Sequence, residues 1–158
     1  MATLILGSCE SGAPFGQQTF RGQYSVARDA LETGNYDLAA RKYAKLAEAA
    51  GPLEARIRLE YAHTQLRAEN YADAAQQASQ LAAEQTGTAR AAALAVQATA
   101  EHELGMAART KGDHATAKQL LESADSAMAE ILKSHPDLDP MGALAARRAS
   151  INTQLKTL

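Results

Sequence analysis

Tryptophan is absent, aromatic residues make up only 4% of the chain, and no run of β-branched residues occurs. Those side chains fill the pleated surface of a sheet, so their scarcity excludes a strand-built core. Cys9 is the sole cysteine, which rules out an intramolecular disulfide and a zinc site closed by cysteines. The net charge of -2 and a pI near 6.1 provide no global attraction to nucleic acid. Nowhere do 18 consecutive apolar residues occur, so no transmembrane helix is expected. Chemistry is equally thin. His63, His102, His114 and His135 include no pair three or four apart, so they form no helical metal site. The turns Gly34-Asn35-Tyr36 and Gly112-Asp113-His114 are hairpin turns and not phosphate cradles. No nucleophile with a positioned base can be assembled from the spacing, so neither an enzyme nor a cofactor is expected.

What the chain has in abundance is alanine, which dominates a hydrophobic fraction of 46%. Alanine is the strongest helix former and lets backbones approach closely, so the expectation is all-α, with thin helices tightly stacked. At 158 residues one architecture should cover nearly everything. Self-similarity supplies its plan. Gly34, Ala39, Tyr43 and Leu46 are echoed by Glu69, Ala74, Ala78 and Leu81, then by Gly112, Ala117, Leu121 and Ala124. An aromatic or histidine follows each turn at Tyr36, Tyr71 and His114, and a large-small pair precedes it at Val26-Ala27, Tyr61-Ala62 and Leu104-Gly105.

Over residues 20–134 this pattern resembles the tetratricopeptide repeat. The resemblance implies a TPR-like α-solenoid of about three antiparallel helical hairpins plus a C-terminal capping helix. Within each hairpin, Ala27 would meet Ala39, Ala62 meet Ala74, and Gly105 meet Ala117. The left-handed turn residue is glycine at Gly34 and Gly112, while the second turn lacks one, and Asn70 is expected to take the positive φ there. Equivalent positions are 35 and 43 residues apart (34 to 69, then 69 to 112), against a family period of 34. Helices are expected at about 18–32, 36–50, 53–67, 71–84, 89–110 and 114–134, the fifth being about two turns too long for the family, so that the stack bends or overhangs there. Pro136 and Pro140 separate a seventh helix, capped by Asp137 or Asp139. Its stripe of Met141, Leu144, Ala145, Ala149, Ile151 and Leu155 suits a cap over the open end of the stack, with Arg147, Arg148 and Lys156 turned to solvent.

The chain therefore divides into an N-terminus and tether over 1–17, repeats over 18–134 and a capping helix over 135–158. In the first part, Leu4-Ile5-Leu6-Gly7-Ser8-Cys9 resembles a bacterial lipobox, which implies lipidation at Cys9 and a short tether of polar, glycine- and proline-containing sequence. The membrane contact expected is that anchor.

In the tetratricopeptide family, ligands lie along residues projecting inward from the first helix of each hairpin. Register transfers this partner-binding groove to Arg21, Tyr24, Arg28, Arg56, Leu59, His63, Arg67, His102, Met106 and Arg109. Five of the ten are arginine, a residue suited to bidentate capture of carboxylates, so the implied partner is an acidic protein or peptide. Tyr24, Arg28 and Glu60 stand where co-chaperone members carry a clamp of lysines and asparagines, which argues against chaperone tails. The resemblance implies a protein-interaction scaffold, lipid-anchored on the periplasmic face of a bacterial outer membrane, that assists assembly of an envelope or pilus complex. The alternatives are a structural subunit of a homo-oligomer and a cytoplasmic adaptor.

Overall fold

The computed structural model describes residues 15–158, with side chains from Thr19 onward; Cys9 lies outside the described residues. All regular structure among them is helical: α1 (Phe15–Glu32), α2 (Tyr36–Glu48), α3 (Glu54–Arg67), α4 (Tyr71–Glu84), α5 (Gly87–Thr110), α6 (His114–Ser134) and α7 (Ala143–Leu155). Short 3-10 turns at Gly51–Leu53 and Pro136–Leu138 lead into α3 and toward α7. Each helix packs on its neighbours in the chain, and α3 also touches α5. The first helix begins at Phe15, so the end of the expected tether is helical.

Three turns of one design join α1 to α2, α3 to α4 and α5 to α6. In each, two successive amides reach back to the end of the preceding helix, closing its last carbonyls. Gly34 and Asn35 bond Leu31 O and Ala30 O, Glu69 and Asn70 bond Leu66 O and Gln65 O, and Gly112 and Asp113 bond Arg109 O and Ala108 O. That pairing of amides requires a left-handed residue at the first of the two positions. Gly34 and Gly112 supply it at φ 80° and 79°, and in the middle turn Glu69 supplies it at φ 61°. This corrects the expectation for Asn70, whose φ is -79°. Hydrogen-bond register, not side-chain tolerance, selects the residue. Asn70 instead donates its side-chain amide to Gln65 Oε1 at 3.0 Å, and Gln65 donates to the Tyr61 hydroxyl at 2.8 Å, which satisfies a buried carboxamide. Asn35 and Asp113 cap their helices in the ordinary way, accepting from Leu38 N and Thr116 N.

The small residues sit where the helices close. Ala27, Ala39, Ala62, Ala74 and Ala117 are fully buried. A Cβ on Gly105 would stand 2.9 Å from Leu121 Cγ, so α5 and α6 approach as near as glycine allows. One apolar cluster joins Leu31, Tyr43, Leu46 and Ile57 across α1 to α3. A larger one joins Leu81, Leu94, Leu121, Met128, Ile131 and Ile151 across α4 to α7.

The long fifth helix is matched by a long α6, of 24 and 21 residues. Its extra first turns are pinned by Arg90, which donates to Ala82 O at the end of α4 (2.6 Å) and pairs with Glu130 on α6 (2.7 Å). The α7 helix starts at Ala143, and its first free amides, of Leu144 and Ala145, are accepted by the Asp139 carboxylate at 2.9 and 3.0 Å. Those amides hold the Asp139 carboxyl below its usual range.

Candidate functional site

The residues expected to line one groove fall into two groups. Tyr24 and Arg28, one turn apart on α1, both reach Glu60 on α3. The Tyr24 hydroxyl donates to Glu60 Oε1 at 3.3 Å, and Arg28 Nη1 reaches Glu60 Oε2 at 3.5 Å. Arg28 also pairs with Glu32, one turn along α1, at 2.7 Å. Glu60, which the resemblance sets beside Tyr24 and Arg28 at the clamp positions, is the hub of this surface. Beneath it, Tyr43 is fully buried with a hydroxyl that has no hydrogen-bond partner. Its ring meets Tyr24 edge to face at 6.0 Å, and burial, with the nearby Glu60 carboxylate, pushes the phenol up to about 12.

His63 and Arg67 continue the same face of α3. Burial lowers the His63 pKa, Glu60 opposes the shift, and Arg67 and Arg28 add to it. The Arg67 guanidinium lies 5.7 Å over the Tyr36 ring, a cation-π contact that leaves its donors facing outward. Leu59 is partly buried against the large apolar cluster, and Arg21 and Arg56 are exposed.

The second group belongs to α5, and there the structure corrects the expectation. His102 is 8% exposed because α7 covers it. One ring nitrogen lies 3.0 Å from Gln154 Oε1 and the other 2.9 Å from Arg147 Nη1. Arginine only donates, so Nδ1 must be the acceptor and Nε2 carries the proton toward Gln154. Both nitrogens are thereby used inside the fold, and His102 has none to offer a peptide. Arg109 donates to the Thr157 hydroxyl at 3.2 Å, and Met106 is half-buried beside them. Arg147 and Arg148, expected in solvent, turn inward: Arg147 pairs with Glu103 at 2.7 Å and Arg148 with Asp125 at 2.8 Å. Periodicity places a side chain on a face, but the long guanidinium stems reach around that face to carboxylates on α5 and α6.

Two clefts, largely apolar, share Pro52 in their lining, one between α1 and α2 and the other between α3 and the α4–α5 turn. One, of about 1020 Å³, is lined by Phe20 and Leu46 with Arg21 and Lys45. The other, of about 500 Å³, is lined by Leu59, Leu81 and Ala89 with Arg56 and Glu60. No cluster of three or more histidine, cysteine or acidic residues among the described residues is arranged to hold a metal ion. No helix among them is long and apolar enough to cross a membrane.

No protein-family model, curated protein or solved structure matches this chain.

Proposed function

We propose that the chain is a protein-interaction scaffold, a short α-solenoid of TPR-like hairpins capped by α7, which holds a partner segment against the α1–α3 face. One observation carries this reading. Three successive hairpins share the same left-handed turn, the same pair of carbonyl-closing amides and buried small residues at the same register. Repetition of a unit that buries its apolar face only against its neighbours produces an extended surface with side chains aligned in rows, which suits recognition of a chain segment. Tyr24, His63 and Arg67 provide an aromatic ring, an imidazole and an outward guanidinium on that row. The α5 residues stabilise the capped end instead. The lipobox-like run ending at Cys9 places the scaffold, in this proposal, on the periplasmic face of a bacterial envelope, where it assists assembly of an envelope or pilus complex.

The test is a pull-down from the native cell with the wild type and a His63→Ala, Arg67→Glu variant whose helical circular-dichroism signal is unchanged. Specific loss of a partner in the variant is the expected result. Retention of every partner at equal yield would move binding off this face. Recovery of nothing but the chain itself, with a mass that rises with concentration, would favour a homo-oligomeric subunit.

A further inference from the structure

We infer that the edge where α1, α2 and α3 meet is a docking seat for an acidic protein segment carrying spaced leucine or phenylalanine side chains. Two clefts that share Pro52 in their lining form its floor, and Arg21, Lys45 and Arg56 form its rim. Arg28, Arg58, Arg90, Arg147 and Arg148 are each paired with a carboxylate that ties one helix to another or to itself. Among the described residues ten of the sixteen cations form no ion pair, and Arg21, Lys45 and Arg56 are the three of those that line these clefts. The one carboxylate lining either cleft, Glu60, already accepts from Tyr24 and Arg28. The clefts are therefore an apolar floor rimmed by three cations that have no ion-pair partner among the described residues.

Apolar surface persists there at a cost. Leu53 is 49% exposed, one of three large apolar side chains left in water among the described residues. Arg21 and Arg56 hold the same position on the first helices of successive hairpins, so an extended segment crossing from one hairpin to the next meets them in turn. A bilayer is a poorer occupant, because the apolar atoms are recessed in clefts while the cations stand on the rim. A flat surface would touch the charges and miss the floor.

The inference rests on the scaffold reading only in taking a protein as the occupant. A library of random 12-residue peptides displayed on phage, selected against the full chain, tests it. The expected consensus has carboxylates flanking leucine or phenylalanine. Its synthetic form should lose roughly tenfold in affinity on Lys45→Glu, Arg56→Glu, as two reversed rim charges imply. It should lose affinity on Leu53→Ser and keep it on His63→Ala, Arg67→Glu. A basic or uncharged consensus, or equal affinity for the edge variants, overturns the proposal. So does displacement of the peptide by a synthetic copy of residues 1–14, which would assign the clefts to the chain's own N-terminus. Charge-dependent binding of phosphatidylglycerol vesicles with no peptide recovered would give it to a membrane. Native partners lost only on His63→Ala, Arg67→Glu would leave the scaffold reading standing and remove this one.

Discussion

Glu69 carries a backbone conformation that costs an L-residue about 1–2 kcal/mol, and among the described residues its side chain makes no hydrogen bond or ion pair that offsets it. Glu69→Gly should therefore raise the unfolding free energy by roughly 1 kcal/mol, less the extra chain entropy of glycine. A higher melting temperature with unchanged helix content is the expected result, and a lower one would mean that the carboxylate contributes more than the turn strain. The histidines act at the same scale. Burial lowers the folded-state pKa of both His102 and His63, so the unfolded chain takes up protons more readily than the folded one. Their stabilisation is complete above the unfolded value of about 6.5 and is lost as pH falls through that value toward the lower folded ones. Acidification also turns Nδ1 of His102 into a donor facing the Arg147 guanidinium. Urea unfolding between pH 8 and 5 should show stability falling below about pH 6.5, with a shallower fall in His102→Gln. An equal slope in that variant would shift the effect to His63 or the carboxylates.

At the scale of the element, closeness of approach decides what a helix tolerates. An added Cβ at Gly105 meets Leu121 Cγ at 2.9 Å and Cδ2 at 3.0 Å, and Leu121 is fully buried with no room to withdraw. Alanine is the better helix former by about 1 kcal/mol, yet overpacking of this kind costs about 1–3 kcal/mol. Gly105→Ala should therefore lower the melting temperature, whereas the same change at Gly22, where nothing lies within 4 Å, should raise it. If both variants gain stability, α5 and α6 do not close on that glycine. The α7 helix shows the opposite economy. Few of its residues are apolar and buried, Ile151 alone reaching full burial, so its hold on the stack leans on Asp125, which binds Arg148 and Asn152, and on the His102 group of α5.

For the whole molecule, charge divides labour. Ion pairs such as Arg28 with Glu60, Arg58 with Glu84 and Arg90 with Glu130 join helices, while Arg67 on the α1–α3 face and Arg21 and Arg56 near Pro52 are exposed. The membrane proposal belongs here as well. A scaffold anchored through Cys9 should fractionate with membranes, because each buried methylene of an acyl chain adds about 0.8 kcal/mol and two or more chains hold stably. Cys9→Ser expressed in the native cell should release it to the soluble fraction. A native protein that is soluble with an unprocessed Cys9 would remove the anchor from the account.

Helix content and the three turns were legible because each rests on local physics: alanine-rich periodic segments, glycine at two of the turns, and a period that repeats. The Gly105 close approach was legible too, since equivalent positions in the other hairpins carry alanine. Tertiary structure decided what no local rule contains. Glu69 takes the left-handed position because the bonds to Gln65 O and Leu66 O demand it there. His102 leaves the candidate groove because α7, separated from it by more than forty residues, lies across it. Glu60 becomes a hub, and Arg147 and Arg148 turn inward, because long side chains choose partners by distance across helices, a quantity that spacing along the chain does not encode. The two clefts that share Pro52 exist only once helices from α1 to α5 are packed together.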